Sequence, residues 1–86
     1  MTLAGIYQTL KNEYKSGQFF LQDGMIGWIY KTEGACNAKE AEDRWLSFLG
    51  AKITTETVIQ DTDYEIYQKF DCNNRIGFFI REKENR

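Results

Sequence analysis

The chain has 86 residues, a net charge of -2, 15% aromatic residues, two cysteines and no histidine. That length holds one domain, and its aromatic side chains can fill a core without a metal or a disulfide staple. The charge balance argues against the broad positive field of a nucleic-acid binder, the missing histidine removes the commonest general base, and no run approaches the ~18 apolar residues of a membrane span.

Leu3, Ile6, Tyr7, Leu10 and Tyr14 recur at spacings of three and four, with Thr2 placed to cap the start and Gly17 to end the segment. This predicts a first amphipathic helix over 3–16. The following QFFLQDGMIGWIYK carries Asp23-Gly24 between two aromatic-rich runs, a strong local signal for a hairpin. Strands over 18–22 and 25–32 then pair Gln22 with Met25, Leu21 with Ile26 and Phe19 with Trp28. A helix over the same residues is the competing reading, weakened by Gly24 and Gly27.

Asn37 is a good N-cap with Glu40 three residues on, and Gly50 sits where a C-terminal glycine belongs. A second helix is expected between them, its apolar stripe made of Ala38, Ala41, Trp45, Phe48 and Leu49. Glu40, Glu42 and Asp43 fall in its first turns, where the helix dipole favours acids.

Three strands are expected after Gly50. With Asp61-Thr62 as the first turn and Cys72-Asn73-Asn74 as a three-residue loop, one face collects Ile53, Ile59, Tyr64, Ile66, Phe70, Ile76, Phe78 and Ile80. A two-residue Asn-Asn turn would place Phe70 opposite Gly77 and Ile66 opposite Arg81, which is the poorer match. The fold class is therefore α+β, with two helices packed on one face of an antiparallel sheet in the order α-β-β-α-β-β-β. Residues 1–82 form the single domain, 83–86 a frayed tail, and neither repeat nor linker is expected.

In this register Phe78 enters the core, whereas Phe79 points the other way, opposite Tyr67 and beside Val58 and Gly77. Lys52, Glu56, Glu65, Lys69, Asp71, Arg75 and Arg81 share that side, with Asp71 opposite Arg75 and Glu65 opposite Arg81. Two aromatic residues inside a ring of charges have the anatomy of an interface. From Ile53 to Gln68 the only charged residues are Glu56, Asp61, Asp63 and Glu65, which would steer the protein toward a basic surface.

The expected function is thus a small non-enzymatic protein-protein interaction module, an inhibitor or accessory subunit docking on a basic surface of a larger protein or complex. Tyr67 and Phe79 would anchor it; Glu56, Asp61, Asp63 and Glu65 would orient it. A second copy in a homodimer is the other protein partner to consider. The alternative is single-stranded nucleic-acid binding through the aromatic face, against which stand the acids assigned there and the failure of RIGFFIRE to fit the sheet-borne RNA-recognition pattern.

Catalysis is not expected: Ser-His and Cys-His pairs are absent, no Gly-rich phosphate loop occurs, and Glu40 with Asp43 lacks convergent metal ligands. Cofactor and metal are expected to be none, because Cys36 and Cys72 without histidine make a poor zinc site and are read as free thiols. Cys36, just ahead of a helix start, is the more reactive of the two. The N-terminal stretch lacks a basic region followed by an apolar run, so the protein is expected to be soluble and cytoplasmic.

Overall fold

The structure, a computed structural model, describes residues 2–34, 37–72 and 74–84. The order is α1 (Leu3–Glu13), β1 (Gln18–Gln22), β2 (Met25–Lys31), α2 (Ala38–Ile59), β3 (Tyr64–Cys72) and β4 (Arg75–Glu82). The strands form one open antiparallel sheet with the spatial order β1-β2-β4-β3, so the fold is α+β. No helix of the described residues is long and apolar enough to cross a membrane.

Each helix starts where its cap dictates. Thr2 Oγ1 accepts from Gly5 N at 3.1 Å, and Asn37 Oδ1 accepts from Glu40 N at 2.9 Å. α1 ends at Glu13 rather than running to residue 16, because Tyr14 turns to extended backbone and sends its hydroxyl to Ser47 O on α2 at 2.9 Å.

Both helices lie on the same side of the sheet. Ile6 and Leu10 of α1 and Phe48, Ala51 and Ile59 of α2 bury against Phe19, Ile26, Trp28, Ile76, Phe78 and Ile80. Trp28 is the hub: its ring meets Phe78 at 5.6 Å, Phe48 at 6.4 Å and Tyr14 at 6.5 Å, and its Nε1 donates to Ser16 O at 3.0 Å. Large side chains buried in this way contribute roughly 1.5–3 kcal/mol each relative to exposure.

The expected strand before residue 60 is helix instead. α2 continues through Gly50 for 22 residues, about 33 Å at the helical rise. Gly50 is a packing glycine, not a terminator: a Cβ there would stand 2.5 Å from the Tyr14 hydroxyl. Ala51, Thr55 and Ile59 all turn inward with a period of four, while Ile53, expected in the sheet core, is 63% exposed. Residues 60–63 therefore link a helix to a strand, with Thr62 N donating to Ile59 O at 3.0 Å.

The first hairpin follows its expected register, Gln22↔Met25, Leu21↔Ile26 and Phe19↔Trp28. Asp23 and Gly24 both have positive φ, 53° and 74°, as a primed two-residue turn requires. The second hairpin differs at its tip. Cys72 lies opposite Arg75, so two residues, not three, join β3 to β4; Asn73 lies outside the described residues. A β-bulge at Gln68, whose φ is 50°, supplies the extra residue farther along.

That bulge inverts the faces of β3 beyond it. Ile66↔Ile80, Tyr67↔Phe79 and Glu65↔Arg81 hold as expected, but Lys69 is now opposite Phe78, Phe70 opposite Gly77 and Asp71 opposite Ile76. Phe70 thus leaves the helix side. Lys69 and Asp71 take its place there: the Lys69 ammonium lies 4.8 Å from the Trp45 ring centroid, and Asp71 is 3.6 Å from Arg44.

An internal repeat also emerges. Each half is a helix followed by a hairpin, and the β2–β4 pairing maps onto itself when fifty positions are added: Ile26↔Ile80 becomes Tyr30↔Ile76, and Gly27↔Phe79 becomes Ile29↔Gly77. The sequences agree at the same offset, with Gln18, Phe20, Ile26 and Gly27 matching Gln68, Phe70, Ile76 and Gly77. A local two-fold axis therefore passes through the sheet where Trp28 stacks on Phe78.

At the C-terminal end, Lys83 N donates to Asp63 O at 2.6 Å. Residues 85 and 86, and Cys36 with its expected reactivity, lie outside the described residues.

Candidate interaction face

Because both helices sit on one side, strand alternation leaves the other side uncovered. It carries Gln18, Phe20 and Gln22 from β1, and Met25, Gly27, Ile29 and Lys31 from β2. β4 adds Arg75, Gly77, Phe79 and Arg81; β3 adds Glu65, Tyr67, Phe70 and Cys72.

The middle of this face is aromatic. Phe79 meets Phe20 edge-on at 6.3 Å and Phe70 at 5.6 Å, so three half-buried rings from β1, β4 and β3 run across the sheet. Phe20 and Phe70 are equivalent under the local two-fold, and each covers a glycine. A Cβ on Gly27 would stand 2.2 Å from Phe20 Cζ, and one on Gly77 2.4 Å from Phe70 Cζ. Tyr67, 37% exposed, extends the row on the outer strand.

The ends of the face are charged. Glu65 accepts from Arg81 Nε at 3.0 Å, and the Arg81 guanidinium lies 3.8 Å from the Tyr67 ring centroid. Lys31 and Arg75 are register partners at the opposite end, and neither makes an ion pair with another described residue. Strand positions on this face therefore carry three cations and one paired anion, inside a chain of net charge -2. A shallow depression lies at its edge, lined by Phe20, Gln22, Asp23, Met25 and Phe79.

Of the residues expected to bind a partner, the structure brings Tyr67, Phe79 and Glu65 together here. Glu56 is not on this face: it projects from α2, ion-paired with Lys52 one turn earlier. Asp61 and Asp63 are exposed in the α2–β3 connection. Val58 belongs to α2 and packs on the core. Lys69 and Asp71 face the helices for the reason given above, so neither contributes charge to the open side.

Sequence reasoning assigns none of Phe20, Gly27, Ile29 and Lys31 to a binding face, and it places Phe70 in the core. The signal that finds them is the fifty-residue offset, which makes any feature of one hairpin a prediction for the other. Among the described residues no three His, Cys, Asp or Glu side chains converge as metal ligands would, and Cys72 is an exposed free thiol. Apolar exposure also occurs on α2, at Leu46, Ile53 and Trp45, the last with its ring stacked on Phe48 and facing the Lys69 ammonium.

No protein-family model, no curated protein and no solved structure matches this chain.

Proposed function

We propose that the protein is a non-enzymatic binding module that takes its partner across the uncovered face of the sheet. The observation that supports this most is the row Phe20, Phe79, Phe70 on the side that no helix covers, continued by Tyr67. Apolar rings bounded by charge are the usual composition of a docking surface. Phe79 and Tyr67 act as anchors, with Phe20 and Phe70 beside them.

The charge of the partner follows from what the bulge and the long helix remove. With Glu56 on α2 and Asp71 turned toward Arg44, the face has an excess of positive charge. An acidic partner is therefore favoured over the basic surface expected from sequence. The same excess opposes face-to-face pairing of two identical copies, since like charges would meet. Sparse cysteine use, with Cys72 free, supports work in the reducing cytoplasm.

The test is affinity capture from native cell extract with matched wild-type and Phe79→Arg baits, each checked for an unchanged thermal transition. Partners retained by the wild type and lost by the variant support the reading. A catch that Phe79→Arg leaves unaltered contradicts it.

A further inference from the structure

We infer that the partner of this face is single-stranded nucleic acid, bound with bases on the Phe20, Phe79 and Phe70 rings and phosphates at Lys31 and Arg75. The inference rests on the reading above that the uncovered face is the docking surface, and it names the partner's chemistry.

Three observations point to a polyanion with planar groups. The rings form a contiguous row across three strands, at 6.3 and 5.6 Å, rather than a closed pocket into which one apolar side chain would insert. Aromatic side chains so presented accept any base, since every base has a π-face, and this gives affinity without sequence preference. Gly27 and Gly77 beneath the outer rings keep the floor free of side chains, so Phe20 and Phe70 lie against the sheet.

The charges fit the same ligand. Lys31 and Arg75 stand side by side at one end of the face, neither paired with an acid among the described residues. At the other end Arg81 is fixed over Tyr67 and held by Glu65, a planar cation stacked on a planar ring. With a net charge of -2 for the whole chain, the acid excess lies elsewhere on the molecule. The excess of positive charge on this face within an acidic chain favours approach of a polyanion here.

The local two-fold gives the proposal an internal control. It exchanges Phe20 with Phe70 and Lys31 with Arg81, so each hairpin supplies one ring over a glycine and one cation, with Glu65 and Tyr67 beside Arg81 alone. Phe20→Ala and Phe70→Ala are both expected to weaken binding, because each ring lies over its cross-strand glycine in the same way.

The experiment is fluorescence anisotropy of the whole protein with a labelled twelve-nucleotide oligo-dT, from low to moderate salt, against an unlabelled polyglutamate competitor. The expected result is salt-dependent binding that Phe79→Ala weakens at least about fivefold, as loss of a stacked base requires. Phe79→Leu, which keeps an apolar side chain in place, is expected to weaken it as well. Lys31→Gln with Arg75→Gln should reduce the slope of log K against log salt by about 1.4, two phosphates' worth for a single strand; these two exposed positions can be changed without touching the core.

Absence of binding at low salt overturns the proposal, as does displacement of the oligonucleotide by polyglutamate at equal charge concentration, or affinity that neither Phe79 variant alters. Each of these leaves the docking reading standing if the Phe79→Arg bait still loses a partner, in which case that partner is an acidic protein. Loss of both results removes the face itself as the binding surface.

Discussion

Gly27 and Gly77 occupy equivalent places about the local two-fold, each under the ring of a cross-strand phenylalanine, yet their surroundings differ in one respect. A Cβ at Gly77 would also stand 2.1 Å from the backbone oxygen of Trp28, whereas every near neighbour at Gly27 belongs to the Phe20 side chain. A ring can swing aside; a paired strand cannot. Gly77→Ala is accordingly expected to cost about 1–3 kcal/mol and Gly27→Ala distinctly less. Denaturant unfolding of the two variants checks the order, and equal costs would contradict this packing.

Ile53 separates a helical from a stranded segment. On α2 it is 63% exposed, so Ile53→Lys should change stability by no more than about 0.5 kcal/mol. In a core strand the same change would bury an unpaired charge and cost several kcal/mol. Thermal melting of the one variant distinguishes the two.

Thr55 is fully buried on the inner side of α2, and its hydroxyl has no hydrogen-bond partner among the described residues. A buried hydroxyl without a partner costs free energy that an isosteric methyl does not. Thr55→Val is expected to stabilise the protein by about 1 kcal/mol, a rise in Tm of roughly 4–8 °C for a domain of this size. A fall in Tm would show that the hydroxyl is satisfied.

Gln68 holds the bulge with φ at 50°, a conformation costing an L-residue roughly 1–2 kcal/mol. Gln68→Gly removes that cost and is expected to gain up to about 1 kcal/mol after the added chain entropy of glycine. Gln68→Val should lose more than about 1 kcal/mol, since a β-branched residue fits that region worst. A stable valine variant would contradict the bulge.

The bulge also explains which parts of the second hairpin were legible. The expected three-residue loop and the observed two-residue loop with a bulge both place one extra residue in β3 relative to β4, at different points along the strand. Beyond Gln68 the two arrangements coincide, which is why Ile66↔Ile80, Tyr67↔Phe79 and Glu65↔Arg81 follow from sequence. Between the bulge and the tip every side chain changes face, so Lys69, Phe70 and Asp71 were assigned to the wrong side.

The first hairpin was legible because Asp23-Gly24 is a local signal that needs no distant contact. The C-terminal half of α2 was not, because Ile53, Thr54, Thr55, Thr57, Val58 and Ile59 all favour strands by propensity and Gly50 resembles a stop. Packing decides otherwise: only a helix brings Ala51, Thr55 and Ile59 together against the sheet and lays Gly50 under Tyr14. The aromatic face was half legible, since Phe79 and Tyr67 follow from strand alternation while Phe20 and Phe70 require the repeat or the bulge.

The claim that the uncovered face binds single-stranded nucleic acid is tested most directly by titrating the isotope-labelled protein with oligo-dT and following backbone amide shifts by NMR. The account predicts that the perturbed amides cluster around Phe20, Gly27, Lys31, Phe70, Arg75 and Phe79, with α1 and the outer turns of α2 unmoved. Shifts centred on Leu46 and Ile53 of α2, or none anywhere along the chain, would contradict it.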